Sequence, residues 1–234
     1  MTDILLSVLY PPRCPACRRL MENDGSLIHS ECRGLFRLIR EPRCLKCGRN
    51  VEAEDIAVCP ECAKKKHRYD YGLAVMEYNS TARQAMTDYK FSGWRANADF
   101  FAEEAVNKFE EILKLYGPEA LIPVPVTRRR LHERGFNQAE LLAVKISERT
   151  GIPVDTALLF KRSGLNVQQK KLSARERKEN ARLAFTAAKS EYKKVCIVDD
   201  IYTTGSTLDA CAGVLKQAGA EEVGFLVICA GSPY

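Results

Sequence analysis

The sequence predicts an α/β fold, a parallel sheet flanked by helices, with a smaller cysteine-rich module in front of it. Three observations carry that expectation. Val195-Cys196-Ile197-Val198 is an unbroken apolar run rich in β-branched residues, which marks a strand buried on both faces of a parallel sheet. From Ser206 onward Leu208, Cys211, Ala212 and Leu215 recur at helical spacing, so a helix follows that strand after a short turn. Seven of the 10 cysteines fall within the first 62 residues, six of them as C-x-x-C pairs.

A chain of 234 residues makes one large domain, or a domain with an appendage, and can bury a real core. No apolar run approaches the ~20 residues a membrane span needs. Ile4 to Tyr10 is the most apolar start, but Asp3 precedes it and no basic segment leads it. It reads as a short packing helix and not as a secretion signal.

Residues 14 to 62 carry Cys14-x-x-Cys17, His29-x-x-Cys32, Cys44-x-x-Cys47 and Cys59-x-x-Cys62, with 11 residues between each pair and the next. Without a secretion signal, metal binding is favoured over a disulfide framework. Two such pairs complete a tetrahedral zinc, so the eight ligands predict two ions, one Cys₃His and one Cys₄. Equal spacing leaves the pairing open. Sequential use, the expected arrangement, gives two small ribbons, and alternating use gives a cross-braced module. A competing view of His29, as a surface histidine beside Cys32, would leave a weak three-thiolate first site. So short a segment has no core of its own, and the metal's first job is structural. Arg13, Arg18, Arg19, Arg33, Arg37, Arg40 and Arg43 decorate the module and read as a solvated basic face, with nucleic-acid contact as the alternative. Cys196, Cys211 and Cys229 stand alone in apolar segments and read as small core residues.

Lys64-Lys65-Lys66-His67-Arg68 is a basic linker, dividing a cysteine-rich module over 1–68 from an α/β domain over 69–234. Tyr69 to Tyr78 has strand character, and Thr81 to Tyr89 and Ala96 to Tyr116 read as helices. Lys90 to Trp94 between them is a turn, either a hydrophobic corner or a base-stacking site. Ala120 to Val126 is a short strand ending in a proline-stiffened loop, followed by the cluster Arg128-Arg129-Arg130 and a helix through Leu141, Leu142, Val144 and Ile146. A strand end with clustered arginines suits a diphosphate, because amides and guanidinium forks both donate to it. Val154 to Phe160 reads as the next strand, Lys161 to Lys178 as a long mobile basic loop, and Val223 to Cys229 as the last strand.

The formal charge is +6, but residues 121 to 182 hold 14 Lys and Arg against 6 Asp and Glu, a local +8 that leaves −2 for the remainder. Positive charge thus gathers on the segments expected around the sheet's carboxyl end, which suits a polyanionic ligand. At that end Asp199-Asp200 precede Thr203-Thr204-Gly205-Ser206-Thr207. Backbone amides around Gly205 and the following helix N-terminus can hold a phosphate, with hydroxyls on the rim. Two carboxylates beside a phosphate would repel it unless they accept from sugar hydroxyls or approach a Mg²⁺ that the ligand carries. A ribose 5-phosphate meets both demands.

The stretch Val195 to Thr207 resembles the signature of type I phosphoribosyltransferases, which bind phosphoribosyl pyrophosphate. That resemblance implies that Asp199 and Asp200 hold the ribose 2- and 3-hydroxyls and that Thr203, Thr204, Gly205, Ser206 and Thr207 hold the 5-phosphate. The cysteine pairs, Pro123-Val124-Pro125-Val126, Arg134-Gly135-Phe136-Asn137-Gln138 and the series Arg162, Gln169, Leu172, Arg177, Asn180, Phe185 narrow it to the ComF group, ComFC- and GntX-like proteins, over nearly the whole chain. His29 stands where a cysteine is common in that group. Membership implies a bacterial cytoplasmic protein with a double zinc ribbon and a type I phosphoribosyltransferase-like domain, acting in uptake of transforming single-stranded DNA beside a ComFA-like helicase. It implies two zinc ions and Mg²⁺ brought with phosphoribosyl pyrophosphate, the pyrophosphate lying against Val126, Thr127 and Arg128, and Arg162 closing over the site. The acceptor is not legible, and no general base stands out. The rival function is a non-catalytic module that keeps the fold and binds single-stranded DNA or another protein.

Overall fold

The computed structural model describes residues 12–22, 24–162 and 184–231. The packing helix expected over Ile4 to Tyr10 lies outside them, as do Gln169, Leu172, Arg177 and Asn180 of the basic segment.

Both ribbons are built the same way. Cys14 N–H donates to Arg19 O and Arg18 N–H to Cys14 O, each at 2.9 Å; Cys44, Arg49 and Gly48 repeat this at 2.8 Å. Such a tight knuckle needs a left-handed residue just after its second cysteine. Gly48 (φ 74°) takes that conformation freely, and Arg18 (φ 67°) takes it at a steric cost. One-turn helices carry the other ligand pairs, α1 (Ser30–Arg33) with Cys32 and α2 (Pro60–Ala63) with Cys62, and His29 and Cys59 sit at their N-caps.

The domain behind them runs β1 (Tyr71–Glu77), α3 (Ser80–Phe91), α4 (Asn97–Tyr116), β2 (Ala120–Pro123), α5 (Arg128–Arg134), α6 (Gln138–Thr150), β3 (Leu159–Lys161), β4 (Phe185–Ala187), β5 (Lys194–Tyr202), α7 (Ser206–Gln217) and β6 (Glu222–Ala230). Four strands pair in parallel in the order β1-β6-β5-β2, while β3 and β4 form a separate antiparallel ribbon. The sheet is covered on both faces, which explains its nearly continuous apolar strands. One face packs α3, α4 and α6 around Phe100, Phe101 and Phe109, and the first ribbon joins it through Met21, Ile28 and Phe36. The other packs α7 and the second ribbon around Tyr69, Phe225 and Tyr202. Gly72 permits that approach, since a Cβ there would stand 2.3 Å from Lys46 O. Cys196, Cys211 and Cys229 are core residues, fully buried.

Two local readings change. Val154 to Phe160 is no single strand: Val154 makes one parallel bridge to Leu121, and the chain then turns before β3. The cause is Asp155, whose carboxylate accepts from Ala157 N–H at 2.7 Å and diverts the backbone into a turn. The arginine cluster after β2 is helical, capped by Thr127, whose hydroxyl accepts from Arg130 N–H at 3.2 Å, and closed by Gly135 (φ 74°). None of its residues is buried, so no apolar period betrayed it. Six of the module's seven arginines are exposed, as expected of a solvated face, but Arg18, Arg33 and Arg43 also make ion pairs. Arg18 grips Asp88 of α3 with two bonds of 2.9 Å, Arg33 pairs with Glu103 at 3.3 Å and with Glu104 on α4, and Arg43 is buried against Glu41. The Arg18 and Arg33 pairs tie the first ribbon to the sheet domain.

Candidate functional site

The eight metal-type ligands fall into two groups, Cys14, Cys17, His29, Cys32 and Cys44, Cys47, Cys59, Cys62, with ligand atoms within 4.8 Å of one another in each. Pairing is therefore sequential. In the second group Cys47 Sγ and Cys59 Sγ are 3.7 Å apart, matching the edge of about 3.8 Å that a tetrahedron with Zn–S near 2.3 Å requires. In the first, His29 Nδ1 stands 3.3 Å from Cys17 Sγ, and its Nε2 faces Leu20 O at 3.2 Å. That outer contact fixes the ring so that Nδ1 turns toward the thiolates. Both groups fit one zinc ion each.

At the carboxyl end of the sheet β5 runs on through Asp199 and Asp200 to Tyr202. Adjacent strand residues project to opposite faces, so the two carboxylates diverge. Asp200 is buried, and Lys90 Nζ at the end of α3 lies 2.7 Å from its Oδ2. The ammonium compensates the charge of Oδ2, which is itself buried. Asp199 Oδ1 accepts from Asp200 N–H at 2.9 Å. Burial, reinforced by the charge of Asp200, pushes the Asp199 carboxyl up to about 7. Lys161 and Lys90 oppose that rise.

After Tyr202 the chain folds over its own ring. Gly205 (φ 74°) is the N-cap of α7 and presents no side chain to the first amides of the helix. A Cβ there would stand 2.7 Å from Tyr202 Oη. Thr203, Thr204, Ser206 and Thr207 are exposed around it, with Thr204 Oγ1 and Ser206 Oγ 3.0 Å apart. Open amides at a helix start with hydroxyls on the rim make an anion cradle.

Across from this loop Val126 and Thr127 are half-buried and Arg128 exposed. Arg162 is exposed, and its N–H donates to Ala184 O at 2.9 Å. Three cations that sequence reasoning missed stand closer to the acids. They are Lys90, Lys161, whose positive charge burial disfavours, and Arg134, stacked 4.9 Å over Phe91 with its buried Nε unpartnered. The two acids and three cations leave a net positive basin suited to an anion.

The amino-terminal part, residues 5–65, matches the double zinc ribbon domain family, and residues 134–233 match the phosphoribosyl transferase domain family. The chain is 30% identical over 223 residues to Competence protein F of Haemophilus influenzae, covering 90% of this chain and 93% of that protein. The chain belongs to the ComF family. Within that family it is 31% identical to Competence protein ComFC of Streptococcus pneumoniae, over 87% of this chain and 88% of that one. DNA utilization protein YhgH of Salmonella typhimurium is 29% identical over 94% of this chain and 97% of its own length. The ComF chain thus joins a double zinc ribbon to a phosphoribosyltransferase domain. Among its described residues no helix is long and apolar enough to cross a membrane.

Proposed function

We propose that the protein binds phosphoribosyl pyrophosphate as its Mg²⁺ complex and transfers the phosphoribosyl group to an acceptor, in the service of DNA uptake during natural transformation. The cradle at Gly205, a side-chain-free helix start beside the acids that end β5, carries this reading. The 5-phosphate would take the amides and hydroxyls of Thr203 to Thr207, and the ribose hydroxyls would donate to the carboxylates of Asp199 and Asp200 from either side of the strand end. The pyrophosphate would face Val126, Thr127 and Arg128. Mg²⁺ carried by the substrate would neutralise part of the diphosphate charge. As the bond from C1 to pyrophosphate breaks, positive charge grows on the ribose and is favoured by the two carboxylates. Negative charge grows on the leaving group and is favoured by Arg128 and the cations around it. The competence proteins among the relatives support the physiological setting.

Calorimetric titration with phosphoribosyl pyrophosphate and Mg²⁺ tests the binding step, and pyrophosphate release with candidate acceptors tests transfer. Wild type should give heat, and Asp199→Asn with Asp200→Asn should give none. A wild type without heat would end the reading.

A second reading, a non-catalytic single-stranded-DNA-binding module, is favoured by four cation–ring contacts on three rings. Arg13 and Arg18 lie 5.9 and 6.0 Å from the Trp94 ring, Arg95 lies 4.8 Å from Phe136, and Arg134 covers Phe91, which is 65% exposed. Rings among arginines suit stacked bases and a phosphate backbone. Binding without pyrophosphate release, falling steeply with salt, would favour this reading over the enzyme.

A further inference from the structure

We infer that Arg49 and Tyr202 are positioning residues that couple the second metal cluster to the phosphate cradle, so that metal at Cys44, Cys47, Cys59 and Cys62 and a sugar phosphate at Gly205 tighten each other's binding. The inference rests on the sugar-phosphate reading of that cradle.

The contacts run in single file. Arg49 is buried; its Nε donates to Cys47 Sγ at 3.3 Å, and its Nη2 reaches Cys59 Sγ at 4.0 Å and Glu61 Oε2 at 2.5 Å. The guanidinium carbon stands 5.6 Å from the centre of the Tyr202 ring. That ring is 2% exposed and stacks on Phe225 at 5.5 Å, and its hydroxyl lies 3.1 Å from Tyr69 Oη. A Cβ on Gly205 would strike the edge of that ring, meeting Cε2 at 2.9 Å and Cζ at 3.0 Å as well as the hydroxyl. A second route runs beside the first. Asp209, in the first turn of α7, holds His67 Nδ1 at 3.0 Å and accepts from Arg68 N–H at 2.9 Å, just beyond the last ligand Cys62.

The physics gives the direction. A metal would fix Cys47 and Cys59 where Arg49 spans both sulfurs and rests against Tyr202, whereas without it nothing ties the two knuckles into that span. With Arg49 released, the Tyr202 ring loses the partner on its ribbon side, and the left-handed turn at Gly205 loses the stop that shapes it. Coupling between two binding events is reciprocal, so a phosphate that needs this turn must also hold the metal more firmly.

The test uses the full chain, with ribose 5-phosphate as probe and zinc counted per chain. Arg49→Gln and Tyr202→Leu should weaken ribose 5-phosphate binding about tenfold while two zinc ions remain bound. Tyr202→Phe, which keeps the ring, should stay within about threefold of wild type. In wild type, saturating ribose 5-phosphate should slow zinc transfer to a chromogenic chelator several-fold, a readout that needs no variant. In Arg49→Gln the ligand should leave that rate unchanged. Wild-type affinity in both disruptive variants, or zinc release from wild type that ignores the ligand, overturns the coupling alone. Absence of wild-type binding to both ribose 5-phosphate and phosphoribosyl pyrophosphate overturns the sugar-phosphate reading as well.

Discussion

Lys90 Nζ reaches Asp200 Oδ2 at 2.7 Å across the end of the sheet, and the two side chains are only 15% and 9% exposed. Removing one partner of so enclosed a pair strands the other charge. Lys90→Met should therefore cost about 3 kcal/mol of unfolding free energy, and adding Asp200→Asn should restore most of it. Chemical denaturation of the single and double variants checks this. A loss below about 0.5 kcal/mol in Lys90→Met would mean that solvent already screens the pair.

Asp199 sets a pH dependence. Its folded carboxyl titrates near 7, above the ordinary range, because burial and then Asp200 disfavour its charge. A raised folded pKa means that the native state holds this proton longer than the unfolded chain does. Its contribution to stability is present in full below about pH 4 and is lost as pH rises through about 7. Asp199→Asn should flatten that slope in thermal melts across the same window. Sugar hydroxyls prefer the ionised acceptor, so ribose 5-phosphate should bind more tightly at pH 8 than at pH 6. The opposite order would show that Asp199 binds the sugar as the neutral acid.

Gly205→Ala tests the cradle directly. The new methyl group would meet Tyr202 Oη at 2.7 Å on a backbone with φ 74°. Left-handed strain alone costs about 1–2 kcal/mol, and relief requires the loop to move. Ribose 5-phosphate affinity should fall at least about tenfold, since about 1.4 kcal/mol suffices for that. Affinity unchanged in Gly205→Ala would place the phosphate elsewhere.

Metal analysis should return two zinc ions per chain. His29→Ala should lose the first under mild chelation and keep the second, whereas His29→Cys should keep both, because a thiolate can replace Nδ1 in a tetrahedral site. Equal loss from the two sites in His29→Ala would mean that the ribbons hold metal as one unit.

Much of this architecture was legible in the residues. The run Val195 to Val198 and the small-residue loop mark a buried strand and a turn whatever surrounds them, and the even spacing of the ligand pairs marks the ribbons. Sequential pairing was only preferred until the ligand atoms of Cys14 to Cys32 and of Cys44 to Cys62 came together in space. Lys90, Lys161 and Arg134 were not legible as a group. A cation carries no period, and each meets the acids only because α3, β3 and α5 end at the same edge of the sheet. The ion pairs of the exposed Arg18 and Arg33 were not legible for the same reason, since Asp88 and Glu104 lie far along the chain. Val154 to Phe160 reads as one strand in the sequence because the effect of Asp155 on its neighbours is local hydrogen bonding, not hydrophobicity.

The first strand of the sheet has a neighbour that is not a strand of the sheet. Between the two ribbons, Ile39 N–H donates to Val75 O at 3.0 Å, Glu77 N–H donates to Arg37 O at 2.8 Å, and Leu38 bridges Met76 antiparallel. The segment joining the ribbons thus caps the open rim of β1. Stripping the metals would free that cap and bare the unpaired Val75 carbonyl and Glu77 amide on the edge of β1, a template on which other chains can add. The expected fate of the stripped protein is self-association into β-rich aggregates, so chelators and oxidants would act on its solubility as well as on its chemistry.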